Sequence, residues 1–171
     1  NEYDYFTAVD DCSADDNAGA GHLGTVEFIS STLYRYSTVN IAELMENGLN
    51  IDEVCDVLSG YLEAFIKAMP TGKQNTFANR TLPCFTYVTI REDQPINMAG
   101  AFEKAVTGNG KGYEKDSIDA FLEYTKKVYE NYAEYPKKSF VVCLDDVNTE
   151  AERVKMKDLA RLVEKEIRNY N

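Results

Sequence analysis

Histidine and tryptophan are nearly missing from this sequence, which has one histidine, His22, and no tryptophan. A single histidine excludes a two-histidine metal site, and zinc would require ligands closer together than those present here. The four cysteines, Cys12, Cys55, Cys84 and Cys143, are widely separated and form no C-x-x-C pair. We therefore expect reduced, partly buried thiols in a cytoplasmic protein, with no metal or other cofactor.

Long apolar runs are also missing. No stretch of 18 residues is apolar throughout, which argues against a membrane span. The N-terminal region does not begin with the charged and then apolar pattern of a secretion signal. With 171 residues, of which 44% are hydrophobic, the chain can bury one substantial core. We expect no membrane partner.

Positive charge is scarce in the first part of the chain. Residues 1–66 contain one lysine or arginine against thirteen acidic residues, whereas residues 67–115 contain seven basic and four acidic residues. The overall net charge of −11 argues against a simple nucleic-acid binder. A phosphate responds mainly to nearby charge, however, because screening limits the field to about 8 Å at physiological salt. The only net-positive segment is therefore the place to look for an anion site.

Two short arms, Tyr5–Val9 and Thr25–Ile29, flank a loop at residues 10–24 that is rich in Asp and Gly, and they predict a β-hairpin. Aromatic and β-branched residues at 32–41 predict a strand. An apolar stripe of 3.6-residue period predicts a helix over 51–69, capped by Asn50 with Glu53.

The rest of the chain alternates in the same way. Apolar patterns predict strands at 84–91 and 139–144, a helix at 117–132, and a final helix opened by a capping box of Thr149 and Glu152. This order predicts an α+β fold with helices packed on a sheet.

The segment between Pro70 and Pro83 is the most informative part of the sequence. It separates a helix from a strand and contains Lys73, Gln74 and Arg80. Such a composition suits a loop that offers hydrogen bonds and positive charge to an anion. Its Thr-Gly-Lys-Gln run is not a nucleotide-binding phosphate loop, because it lacks the leading glycine and the Ser or Thr after the lysine.

Four ordered blocks resemble one known family. They are residues 5–11 (YFTAVDD), residues 22–28 (HLGTVEF) followed by 34–36 (YRY), the 70–83 segment, and residues 93–104 (DQPINMAGAFEK). The family is that of CasC, the backbone subunit of the type I-E CRISPR surveillance complex, Cascade. The resemblance implies that the chain corresponds to the C-terminal half of a family member.

The resemblance implies an α+β fold built as a partial RRM-like (ferredoxin-like) palm, with a β-hairpin thumb projecting from it and helices packed on an antiparallel sheet. The thumb would occupy residues 1–31 and the palm residues 32–171. The function implied is a non-catalytic scaffold that polymerises along a CRISPR guide RNA in the cytoplasm. Its partners would be the guide RNA, target DNA paired to the guide, copies of itself and other Cascade subunits. The implied RNA-binding residues are Phe6, Thr7, His22, Lys73, Gln74, Lys104 and Lys111.

Other interpretations of the same residues stay open. Phe6 could fill a core, and Lys104 could pair with a neighbouring acid. The carboxylate pairs Asp10-Asp11 and Asp145-Asp146 could hold magnesium and cleave RNA, as in a metal-dependent endoribonuclease of a related CRISPR complex, or they could simply form turns. A structural dimerisation domain without a nucleic-acid role is a further alternative, which the acidity favours.

Overall fold

The structure is a computed structural model that describes residues 2–9, 20–108 and 110–169. The strands in these ranges are β1 Glu2–Val9, β2 Ala20–Phe28, β3 Phe85–Ile90, β4 Lys138–Cys143 and β5 Glu152–Arg153. The helices are α1 Ile41–Glu46, α2 Ile51–Lys67, α3 Gln74–Phe77, α4 Glu114–Asn131 and α5 Met156–Arg168, with a 3-10 helix at Met98–Phe102. None of them is long and apolar enough to cross a bilayer.

The chain divides into two compact units. The hairpin unit consists of Asn1–Leu33 together with Pro70–Arg80, and the sheet unit consists of Tyr34–Met69 together with Thr81–Asn171. In the hairpin unit β1 and β2 pair in antiparallel fashion, which confirms the predicted hairpin. Residues 20–24, predicted as loop, instead belong to β2, and residues 10–19 lie outside the described residues.

The sheet unit has a three-stranded sheet in the order β3-β4-β5. β3 and β4 are antiparallel, and the two-residue β5 runs parallel to β4. Because side chains alternate along a strand, Val88 and Ile90 face one side of the sheet and Phe85 and Tyr87 face the other.

Each face of this sheet has its own core. Val88 and Ile90 pack with a cluster from α2, α5 and β4 that includes Val54, Phe140 and Leu159. Phe85 and Tyr87 pack with a second cluster from α4 and the 3-10 helix, formed by Met98, Phe121 and Tyr129. The predicted α+β fold with helices packed on a sheet is thus confirmed, and helices cover the sheet on both faces.

The predicted strand at 32–41 is wrong. Residues 29–40 have no regular structure, and Ile41 begins α1. Within the sheet unit this segment is held by side chains instead: Arg35 donates from Nη1 to the Ala68 carbonyl at 3.0 Å, and the hydroxyls of Ser37 and Tyr61 are hydrogen-bonded. Strand propensity reflects how well side chains pack against neighbours, and here they pack without strand pairing.

The predicted capping box of the last helix is also wrong. Thr149 Oγ1 accepts a hydrogen bond from the Ala151 backbone N–H at 3.2 Å, and Glu152 lies in β5. The helix α5 begins only at Met156. A Thr three residues before a Glu can equally well form a turn, because the Thr hydroxyl bonds its own backbone two residues on.

Three thiols confirm the expectation of free cysteines. Cys55, Cys84 and Cys143 form no disulfide, and Cys55 is buried. Burial raises the pKa of the Cys55 and Cys84 thiols, which keeps them unreactive. Cys12 lies outside the described residues.

The predicted cap of α2 is confirmed and supports a test. Asn50 Oδ1 accepts from the backbone N–H groups of Asp52 and Glu53 at 3.0 and 3.1 Å, and Glu53 Oε2 accepts from the Asn50 N–H at 2.8 Å. Asn50→Ala should therefore lower the free energy of unfolding by about 1 kcal/mol in urea denaturation. Asn148→Ala, at an exposed loop position, is the control, and an equal loss there would contradict the capping role.

Candidate nucleic-acid interface

Phe6 lies on the hairpin and is 43% exposed. Its cross-strand partner is Gly24, and a Cβ atom at Gly24 would lie 2.4 Å from the Phe6 Cζ atom. Gly24 is therefore the residue that lets the ring lie across the neighbouring strand, as aromatic residues do over glycines in sheets. The ring of His22 is 5.5 Å from that of Phe6. The two rings together form a small aromatic surface.

Thr7 lies on the other face of the hairpin. It pairs with Leu23, and the pairs on either side are Phe6 with Gly24 and Ala8 with His22. Because the face alternates along a strand, these two neighbouring pairs lie on the face opposite to Thr7. Thr7 is exposed, and its hydroxyl makes a 3.4 Å hydrogen bond to the Ala8 carbonyl. The structure thus brings Phe6 and His22 together and separates Thr7 from them.

The 70–80 segment packs on the face of the hairpin that carries Phe6. Phe77 stacks on Phe28 with ring centroids 4.5 Å apart, and the Lys73 ammonium lies 2.7 Å from Asp4 Oδ2. The Gln74 side chain donates from Nε2 to the Pro70 carbonyl at 2.9 Å, so it braces its own turn. Lys73 and Gln74 thus share the hairpin unit with Phe6.

Asp4 is a further residue of the candidate site, and the sequence pattern did not indicate it. Its pKa is lowered, first by the hydrogen bond from Lys73 and also by the Tyr5 backbone N–H, which donates to Oδ1 at 3.0 Å. Asp4 therefore stays ionised at neutral pH. No sequence signal joins residues 4 and 73, which lie 69 positions apart.

Two of the predicted cations belong to the sheet unit. Lys104 is exposed and lines a cleft of about 480 Å³ with Thr107, Tyr124 and Lys127. Lys111 is exposed in the following loop, between Gly110 and Gly112, whose φ angles of 84° and 94° favour glycine. Both lysines therefore lie at the surface.

Tyr34 supports the segment that leads to Lys104. Its hydroxyl donates to Asn97 Oδ1 at 3.1 Å and accepts from the Met98 backbone N–H at 3.2 Å, and its ring packs on Phe102. Burial raises the pKa of this hydroxyl, so it remains a donor. Two of the sequence blocks that carried the family resemblance, 34–36 and 93–104, thus meet in the fold.

Of the two carboxylate pairs, only Asp145-Asp146 lies in the part of the chain that the structure describes. Asp146 is ion-paired with Arg153, and the described ranges contain no group of three or more His, Cys, Asp or Glu side chains that could hold a metal ion. Asp10 and Asp11 lie outside those ranges. Asp146 has the structural role of an exposed ion pair.

Comparisons with known proteins agree on one family. The family model described as CT1975-like protein matches residues 1–165. Among solved structures, a chain of a "CRISPR RNA-guided surveillance complex, pre-nicking" superposes with a TM-score of 0.81 at 29% identity, over 97% of this chain and 50% of that one. A chain of a "CRISPR RNA-guided surveillance complex" superposes with a TM-score of 0.79 at 29% identity, over 99% of this chain and 65% of that one. No curated protein sequence matches significantly.

The chain thus spans between half and two thirds of the length of these structural relatives. The family model covers most of the sequence, and both superpositions cover nearly all of it. This chain belongs to the CT1975-like family of CRISPR-associated proteins.

Proposed function

We propose that this protein is a non-catalytic, guide-RNA-binding scaffold subunit of a type I-E CRISPR surveillance complex, which polymerises along the guide. One observation carries the proposal. The hairpin presents a half-exposed aromatic ring beside His22, and the same unit holds the Lys73 ammonium and the exposed guanidinium of Arg80. An aromatic surface next to cations is the combination that binds single-stranded RNA by stacking and by phosphate contacts.

The covered sheet limits how RNA could be bound. Plain RRM domains stack bases on an open sheet face. Here helices cover both faces of the β3-β4 sheet, so the proposed contacts come from the hairpin, the 70–80 segment and the loops around Lys104 and Lys111. Contacts of this type grip the backbone, and base pairing with the guide then reads the target DNA. The RRM-like palm, the target DNA, further copies of the chain and other Cascade subunits are part of this proposal.

The salt dependence of RNA binding tests the proposed phosphate contacts. Lys104 makes no ion pair with any residue in the described ranges. Lys104→Ala in the intact protein should weaken binding of every single-stranded RNA and should reduce the slope of log K against log salt by about 0.7. Fluorescence anisotropy at several salt concentrations measures this slope.

Lys157→Ala is the matched control, because it removes an equal charge from an exposed position on α5. We expect it to leave the slope unchanged. An unchanged slope in Lys104→Ala would remove this lysine from the interface. The RNA should also stay intact when magnesium is added, and magnesium-dependent cleavage would favour a ribonuclease instead.

A further inference from the structure

The Asp4 carboxylate occupies a site whose donors would also suit a phosphate. The Lys73 ammonium lies 2.7 Å from Oδ2, and the Tyr5 backbone N–H lies 3.0 Å from Oδ1. An ammonium and a backbone N–H are both groups that bind RNA phosphate oxygens. Asp4 therefore neutralises one of the predicted RNA contacts from within the chain.

The 70–80 segment has an unfavourable backbone conformation at two residues. Lys73 and Ala78, which flank the short helix α3, have φ angles of 59° and 50°. This left-handed conformation is unfavourable for residues that carry a Cβ atom, and its cost must be offset by the surrounding contacts. Two contacts that join the segment to the hairpin strands are the stack of Phe77 on Phe28 and the ion pair of Lys73 with Asp4. The ion pair thus helps to hold a segment that has two residues in the left-handed conformation.

The pair is also accessible to RNA. The Lys73 side chain is 41% exposed and that of Asp4 is 25% exposed. Ion pairs with this exposure are weak, and the free face of an ammonium has further donors for a second anion. A phosphate that approached Lys73 would, however, also come close to the Asp4 carboxylate, and the two anions repel each other.

We propose that Asp4 competes with the guide RNA for Lys73. In the RNA-free protein the Asp4 carboxylate binds the Lys73 ammonium, and an RNA phosphate displaces it when the RNA binds. This inference rests on the proposed function and adds a selectivity device to the same site. A single free phosphate must compete with a carboxylate that is tethered beside Lys73. An RNA already bound at neighbouring contacts presents its phosphate at a high effective concentration. Asp4 therefore favours long RNA over free nucleotides.

The test is the affinity of the intact protein for a labelled single-stranded RNA oligonucleotide, measured by fluorescence anisotropy at low salt. Asp4→Asn keeps the size of the side chain and an acceptor oxygen for the Tyr5 backbone N–H. We expect it to tighten RNA binding by about two- to five-fold, the range that corresponds to an exposed ion pair. Lys73→Ala breaks the same pair from the other side and should weaken binding, so the two variants should have effects of opposite sign.

Two controls separate competition from simple charge and from loss of structure. Glu27→Gln removes the same charge from the opposite face of the same hairpin, because Glu27 pairs with Tyr3 while Asp4 pairs with Val26; it should leave the affinity unchanged. In a Lys73→Ala background, Asp4→Asn should not increase the affinity for RNA, because there is no ammonium group for the carboxylate to release.

The inference is overturned if Asp4→Asn leaves binding unchanged or weakens it, if Glu27→Gln gives an equal gain, or if the gain persists without Lys73. In each of these cases a wild-type protein that binds RNA leaves the proposed function standing. A wild-type protein that does not bind RNA overturns the proposed function, and this inference with it.

Discussion

Replacing Arg91 with lysine should lower the free energy of unfolding by about 2 kcal/mol, although the charge is kept, because charged hydrogen bonds are lost. The Arg91 side chain is only 7% exposed. Its Nε and Nη2 atoms donate to the two Asp93 carboxylate oxygens at 2.7 Å each, and Nη2 also donates to the Glu134 carbonyl at 2.8 Å. The guanidinium also lies 5.3 Å from the centre of the Tyr129 ring. A lysine has one nitrogen and cannot reproduce this planar fork.

Arg91 matters for the candidate interface because of its position. It follows β3 directly and, through Asp93 and the Gln94 carbonyl, fixes the turn that leads into the 93–104 block and to Lys104. Urea denaturation measures the loss, and Arg161→Lys, at a position that is 69% exposed, is the control with little expected effect. Equal stability of Arg91→Lys and wild type would show that the fork is not required.

The ion pair of Arg91 with Asp93 should contribute to the acid sensitivity of the protein. The hydrogen bonds from Arg91 lower the pKa of Asp93 below its usual value. The stability that this pair contributes is therefore present above the pKa of an unfolded aspartate, near 3.9, and is lost as the pH falls through the lower folded-state pKa. In Asp93→Asn this contribution is absent, so stability should fall less steeply in that acidic range than in the wild type.

Replacing Phe6 with alanine should weaken RNA binding by about 1–3 kcal/mol, the cost of losing one stacked base, while thermal stability stays nearly constant. The ring is 43% exposed and lies over Gly24 rather than in a core, so little packing is lost. In assembled complexes the variant should also impair the kinking of a guide–target duplex, since an aromatic wedge no longer separates the bases.

Tyr5→Ala is the matched control for Phe6→Ala. Tyr5 directly precedes Phe6 on the same strand, is 70% exposed and lies on the opposite face of the hairpin. RNA anisotropy and thermal unfolding should be measured for both variants. An equal loss of affinity in both, or a Phe6→Ala variant that chiefly lowers the melting temperature, would contradict a specific stacking role.

Regular elements with a strong local pattern were predictable. The apolar stripe of α2 and its cap at Asn50 are confirmed. They were predictable because the apolar period and the N-cap signal of a 17-residue amphipathic helix are contained in its own consecutive residues. The arms of the hairpin and the strands β3 and β4 are confirmed for the same reason. Failures occurred where a local pattern fits two structures, as at 32–41 and at Thr149.

The supporting contacts of the site could not be predicted, because they join distant parts of the chain. Lys73 meets Asp4 across 69 positions, and Tyr34 meets Asn97 across 63. The local sequence predicts a loop at Gly24, whereas the fold shows that this glycine leaves room for the Phe6 ring. The chemistry of Lys73 and Phe6 is visible in their residue types, whereas the groups that hold them become visible only when the chain is folded.

We propose that several copies of this protein assemble on one guide RNA. The most direct measurement titrates the intact protein onto a guide RNA and determines the mass of the complexes by analytical ultracentrifugation at low salt. We expect complexes in which several protein copies bind each RNA, and we expect them to dissociate as salt is raised. A protein that sediments separately from the RNA at low salt would contradict it.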